Sequence, residues 1–398
     1  MYFPLTICIG FYGQVVILQK KTLIIFLTAF LVLLSTGMGT KAAGIGSLSS
    51  QSAVLYEPES GRILYEKDAH TPRPMASTTK IMTALLAIER CPADKILTVS
   101  GEAVRVEGSA LGLRGGDQIM MLDLVTGLLL ESGNDAANVI AYAISGGIPE
   151  FANLMNERAA TIGMKNTTFV TPSGLDQGDH SSSAYDMALL AAEALKNDTI
   201  AKICDTESAL IEFGNPPKKI RVTNHNRLLK LYPYAIGMKT GFTKKSGRCL
   251  VSAAEKDGVK LIAVTLKAGD DWNDHIAIYE HGFSITESFS LPEIALPKTP
   301  VSGGTAHQVN LIADVPPVVT LIRDETNKLR SELFLPKFLI APVIAGEVVG
   351  EVKYFAGERE LCTLSIKAAD NINARPVAGF WTRMHRYFAN LLHEWLRI

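Results

Sequence analysis

A nearly unbroken apolar stretch sets the strongest constraint on the fold. In the run MASTTKIMTALLAIER, Met75 to Arg90, residues Ile81, Met82, Ala84, Leu85, Leu86, Ala87 and Ile88 put apolar side chains on almost every side of a helix. A surface helix keeps a polar face, whereas a helix apolar all round is enclosed by the protein. The fold must therefore wrap other elements around this segment. Ser77 and Lys80 stand three residues apart at its start. A lysine so close to a buried surface is costly unless it is paired or put to use.

The chain is long enough to enclose such a helix. Its 398 residues are about half apolar and one-fifth charged, which suits one large domain with a smaller one, or two of medium size. A formal net charge of −1 lacks the basic surplus a nucleic-acid partner would want. The five cysteines, Cys8, Cys91, Cys204, Cys249 and Cys362, form no CxxC pair; they read as buried thiols, since a large core needs no disulfide staples. The eight histidines make no HExxH or HxxxH string, so neither a metal nor another cofactor is expected.

Residues 1–42 read as a targeting segment. Lys20 and Lys21 precede an apolar run from Thr22 to Leu34, and Thr40-Lys41-Ala42 offers a cleavage site. This is the order of a secretory signal, so the protein is expected outside the cytoplasm, on the outer face of the cell membrane. Residues 1–19 are also apolar, which leaves a retained anchor or an early start codon as alternatives.

Residues 43–286 read as one domain. SAVLYE, PESG and RILYEKD form a hairpin at Ser52–Asp68. Asp117–Lys196 is mostly helical, with loops at Glu131–Asn134 and Thr171–Ser183. MKTGFT, RCLVSAAEK and VKLIAVTLK are strands, the last two joined by Asp257-Gly258, a strong hairpin signal. A sheet thus draws strands from both ends of the domain, with helices inserted between. Residues 287–372 carry short β-rich runs punctuated by Pro and Gly and read as a small all-β domain. Within residues 373–398, Phe380, Trp381, Met384, Phe388, Leu391, Leu392 and Trp395 recur at helical spacing, with arginines mostly opposite. That pattern suits a helix lying in a membrane interface.

The chemistry is carried by three short strings. Ser77 and Lys80 share a helix face at i and i+3. A serine is a weak nucleophile until a base takes its proton, and a lysine becomes that base when burial or a neighbouring cation lowers its pKa. Alone this pair is weak, because an S-x-x-K string arises by chance once or twice in such a chain. Ser132-Gly133-Asn134 follows at a Gly-marked break, and Lys239-Thr240-Gly241 opens a strand. The order S-x-x-K, S-x-N, K-T-G is the trio of penicillin-binding proteins and class A β-lactamases.

On these strings the sequence resembles the low-molecular-mass penicillin-binding proteins, the D-alanyl-D-alanine carboxypeptidases of the serine-type S11 peptidase family. LESGNDAANVIA, LMNERAATIGMKNTTFVTPSGLD, AYDMALLA and GMKTGFT extend the likeness across Ser52 to Phe283. The resemblance implies an α/β (α+β) transpeptidase fold: an antiparallel sheet with a helical insertion, a C-terminal β domain and an amphipathic membrane anchor. It implies that Ser77 attacks the carbonyl between two D-alanines of a peptidoglycan stem peptide, with Lys80 as general base. Ser132 would relay a proton to the leaving amine, and Asn134 would contact Lys80 and substrate. Lys239 and Thr240 would hold the terminal carboxylate, and Gly241 would let substrate lie along the strand. The backbone N–H groups of Ser77 and Phe242 would form the oxyanion hole. β-Lactam antibiotics would acylate Ser77 by the same route.

One departure stands out. Some members carry an arginine after the strand matching LIAVTLKAG, where this chain reads DDWNDHIAIYE; His275 is one substitute, and Lys239 acting alone is the other. His180 and His225 read as loop or surface histidines. A β-lactamase would need an E-x-x-L-N string between Asn134 and Lys239, and none is convincing. An idle penicillin-binding sensor would not need the whole trio, and a Ser-His-Asp hydrolase would want a G-x-S-x-G string that is missing.

Overall fold

The computed structural model describes residues 45–376 and 379–395. The 1–42 leader lies outside them.

The strand β1 (Ser52–Glu57) is buried at every position. It pairs with β2 (Arg62–Lys67) on one side and with β9 (Val259–Ala268) on the other. With β8 (Gly247–Lys256) and β7 (Ala235–Thr243), these make an antiparallel five-stranded sheet in the order β2-β1-β9-β8-β7. Both faces are covered, which explains why SAVLYE lacks a clean polar alternation. Val54, Val251, Ala253, Ile262 and Val264 face the main core, while Ala53, Leu55, Leu250, Ala254 and Leu261 pack with Ile278 and Tyr279 of a long helix, Asp271–Ile285.

On the main-core side sit α1 (Lys80–Arg90), α2 (Met121–Leu130), α3 (Asn134–Ser145), α4 (Ile148–Ile162), α5 (Ala184–Leu195) and α6 (Asp198–Cys204). The long helix that covers the other face is α7. Lys80 through Ala87 of α1 are all buried, as the apolar pattern requires. Truncating Leu86, fully buried, to alanine costs about 2–5 kcal/mol. A second antiparallel sheet, β3-β4-β5-β6, joins Ile96–Thr98 and Gln118–Met120 to the hairpin of Ser208–Gly214 and Pro217–Thr223.

The C-terminal region is all β. Strands β13 (Leu311–Ala313), β18 (Arg359–Ala368), β17 (Val348–Ala356) and β15 (Leu329–Phe334) form one sheet, and β12 (Gln308–Val309), β11 (Thr299–Ser302) and β16 (Leu339–Ile340) form another. β10 (Thr286–Ser290) follows α7 without a break and pairs with β14 (Val318–Ile322). Arg62 of β2 and Arg359 of β18 both donate to the Glu325 carboxylate, at 2.9 and 3.0 Å. The last helix, α8, spans Phe380–Trp395. Cys91, Cys204, Cys249 and Cys362 are free thiols, the first three buried.

Candidate active site

The nucleophile pair does not sit within one α-helix, as its i, i+3 spacing suggested. Ala76–Thr79 is a 3₁₀ turn, and α1 begins at Lys80. The tighter turn brings i and i+3 into an eclipsed pair, and Lys80 Nζ lies 2.9 Å from Ser77 Oγ. Thr78 and Thr79 turn their hydroxyls inward, donating to the carbonyls of Met75 and Ala76 at 2.7 and 2.8 Å. Ser77 is half-buried and opens into a cleft of about 410 Å³.

Lys80 has no solvent contact. Burial pushes its amine well below the ordinary lysine value, and the charge of Lys239 pushes the same way. Its place at the positive end of α1 adds to this. Besides Ser77, Nζ reaches Asn134 Oδ1 and the Ser173 carbonyl, each at 2.7 Å. Both are pure acceptors, so a neutral amine at this place would give them its two hydrogens. Of the three partners only the Ser77 hydroxyl can donate to the lone pair.

The other strings converge on the same cleft. Asn134 opens α3; its backbone N–H donates to Ser109 O at 2.7 Å and its side-chain amide to Glu107 O at 2.5 Å. The next residue, Asp135, is buried and accepts the N–H groups of Leu111, Gly112 and Leu113. It ties the 109–113 loop to α3. Ser132, Thr240, Gly241 and Phe242 line the cleft with Ser77. A Cβ at Gly241 would lie 3.0 Å from the Ser77 backbone nitrogen, so β7 runs hard against the nucleophile turn. Lys239 lies beneath, 1% exposed, and burial brings its amine down to about 8. It is not the surface lysine that a strand position alone suggests.

Backbone strain marks all three strings. Ala76, Ser132 and Met238 adopt φ of +49°, +63° and +87°, a region costly for residues with a Cβ. Each either precedes or is a residue of the trio.

Three histidines depart from the sequence reading or refine it. His275 is fully buried, bonded to Ser252 at 2.6 Å and Thr265 at 2.9 Å. It faces the interior between α7 and the sheet, so it is no substitute for the expected arginine. His180 is in a loop but buried. Its Nδ1 accepts the Val170 N–H at 2.9 Å, which leaves Nε2 as the donor to Thr79 Oγ1 at 2.9 Å. Burial lowers it to about 4. His225 is half-exposed and lines the cleft.

The residue missed in the sequence is Arg248. It lies opposite Phe242 across the β7–β8 hairpin and lines the cleft. Its Nε donates to Asp271 at 2.7 Å, and its guanidinium lies 5.3 Å from the Trp272 ring centre. Asp271 and Trp272 belong to the very segment that lacks an arginine. The signal was the hairpin register: a three-residue loop after Thr243 returns Arg248 beside Phe242.

Comparisons with known proteins bear on the family of the chain. Residues 38–270 match the D-alanyl-D-alanine carboxypeptidase family, and residues 293–374 match the C-terminal domain of penicillin-binding protein 5. The chain is 33% identical to D-alanyl-D-alanine carboxypeptidase DacF of Bacillus subtilis, over 85% of this chain and 88% of that one. It is 31% identical to D-alanyl-D-alanine carboxypeptidase DacC of Escherichia coli, over 88% and 90%. Penicillin binding protein 5 of Haemophilus influenzae superposes with a TM-score of 0.66 at 27% identity, covering 83% of this chain and 99% of that one. The chain belongs to the D-alanyl-D-alanine carboxypeptidase family of serine peptidases.

Proposed function

We propose that Ser77 removes the terminal D-alanine from peptidoglycan stem pentapeptides through an acyl-enzyme, in the maturation of the cell wall. The observation that carries this is the buried Lys80 amine, 2.9 Å from Ser77 Oγ and held by two pure acceptors. As Oγ attacks the carbonyl carbon, Lys80 takes its proton. The oxyanion is received by the N–H groups of Ser77 and Phe242. The proton taken by Lys80 passes by way of Ser132 to the leaving amine, and D-alanine departs. Water then cleaves the ester, returning the proton to Ser77. β-Lactams enter by the same attack and leave slowly.

Gly241 lets the substrate backbone lie along the β7 edge. Asn134 holds both Lys80 and the substrate amide. Lys239 and Thr240, with Arg248, receive the free carboxylate, the feature that separates a chain end from a chain interior. To test this, folded protein is incubated with a stem pentapeptide and free D-alanine is assayed, and the penicillin adduct is mapped by mass. Ser77→Ala should abolish both. D-Alanine release that persists in Ser77→Ala refutes the assignment.

Residues 43–286 serve as the catalytic domain and 287–372 as a β domain that carries it. We place the mature protein on the outer face of the cell membrane, after export directed by residues 1–42. It is held there peripherally by residues 373–398. On α8, Phe388, Leu391 and Leu392 are exposed, as are Arg383 and Arg386. Exposed apolar side chains with arginines beside them suit an interfacial helix. No described helix is long and apolar enough to cross a membrane.

A further inference from the structure

We propose that the β domain itself touches lipid, through the outward face of Phe338–Ile344, alongside α8. The inference rests on the reading that α8 lies on a membrane.

Through this segment the side chains alternate. Leu339, Ala341 and Val343 point inward and pack with Val301, Val309 and Ile372. Phe338, Ile340, Pro342 and Ile344 point outward; Ile340 is 73% exposed, Ile344 62% and Phe338 54%. A strand with one face on a core and the other in water carries polar residues outside. Here the outer face is apolar as well, and such a patch marks an interaction surface.

The hydrogen bonds place this face at the point where the chain leaves for α8. Val343 and Ile372 exchange two backbone bonds of 2.9 Å. Ala341 N–H donates to Ser302 O at 3.0 Å, and the adjacent Gly303 O accepts from Arg375 at 2.8 Å. The Phe338–Ile344 segment and the 372–375 run are thus tied into one small sheet, and α8 begins at Phe380. Lys337 and Arg375 are exposed beside the patch, and Arg383 and Arg386 are exposed on the helix. Two carboxylates lie at the same end: Asp370 accepts from Asn310 at 2.9 Å, and Glu347 faces the Ile344 N–H at 3.4 Å. Exposed apolar side chains beside these four cations and two carboxylates suit an anionic bilayer, whose headgroups take the positive charges while the acyl boundary takes the side chains. Contact at both the helix and the domain would fix the height of the catalytic cleft above the lipid, where a helix alone would act as a tether.

The test uses the chain from Ala43 onward, which holds the compact unit Ile45–Ile398, with phosphatidylglycerol-containing vesicles and sedimentation. Phe338→Ser/Ile340→Thr/Ile344→Thr is compared with Leu391→Glu/Leu392→Glu, each checked for full labelling by a fluorescent penicillin. The expected result is release of the helix variant and at least a fivefold weaker vesicle partition of the strand variant. A released helix variant beside a strand variant that binds like the parent overturns this inference and leaves the helix anchor standing. Parent-like binding by both overturns the anchor reading and this inference with it. A parent chain that dimerises without lipid, and a strand variant that does not, assigns the patch to self-association and likewise overturns it. Should the strand variant label poorly, Ile340→Cys carrying an environment-sensitive dye replaces it. A blue shift on vesicles supports lipid contact, and an unchanged spectrum contradicts it.

Discussion

Arg248 of β8 and Asp271 of α7 meet at 2.6 Å beside the catalytic cleft, with the Asp271 side chain 3% exposed and that of Arg248 41% exposed. The buried carboxylate holds one edge of the guanidinium. The free edge remains open toward the cleft that Ser77 and Thr240 also line. An arginine held in this way presents a fixed fork to a second carboxylate. Arg248→Ala should raise KM for peptides with a free C-terminal carboxylate by about tenfold or more, the scale of one charge-assisted hydrogen bond. Amidated peptides should be nearly unaffected. Equal losses on both, measured in one kinetic comparison, would remove Arg248 from carboxylate recognition.

Lys239 links function to stability. Its folded value is about 8 against an ordinary 10.5, so the unfolded chain binds more protons between those two limits. The site's contribution to stability therefore rises with pH across that window. Below it the folded chain bears the full cost of a buried ammonium, about 3 kcal/mol. Lys239→Met should thus raise the thermal midpoint at pH 7 by several degrees, while D-alanine release falls sharply. A lowered midpoint in calorimetry would contradict the burial argument. In the parent, kcat/KM should decline above pH about 8 as the cation is lost.

The nucleophile turn depends on its neighbour loop. At Gly174, where φ is +85°, a Cβ would lie 1.9 Å from the Ala76 carbonyl oxygen. The preceding residue, Ser173, supplies one of the acceptors that hold Lys80. Gly174→Ala should destabilise the protein by about 2 kcal/mol or more and slow penicillin acylation further than the stability loss explains. Unchanged acylation in the folded variant would show that the loop does not position Lys80.

Much of this site could be read from residue types and spacing, for definite reasons. Ser77, Lys80, Ser132, Asn134 and Lys239–Gly241 occur in short local strings, and the apolar run after Lys80 announced its burial. The Asp257-Gly258 turn, with φ of +51° and +78°, followed from local chemistry in the same way. What escaped depends on distant parts of the chain. The second sheet pairs Gln118–Met120 with Ser208–Gly214, and short strands of mixed polarity carry no clear period. Arg248 acquires its place only through the β7–β8 register and a helix that begins 23 residues later. The buried state of His275 arises because α7 packs on the sheet, a fact its own neighbours in the sequence do not encode. The left-handed backbones of Ala76, Ser132 and Met238 are imposed by tertiary packing, against local preference.

The central claim is that Lys80 is a neutral amine at working pH and takes the proton of Ser77. Its most direct test is the pH dependence of the second-order rate of Ser77 acylation by a penicillin, whose carbonyl needs no prior proton transfer. The account predicts a rate that falls as the pH is lowered, tenfold per pH unit, through a midpoint well below the ordinary 10.5 of lysine. A rate that instead climbs steadily through neutrality toward a midpoint near 10.5 would show a charged Lys80 and contradict the account.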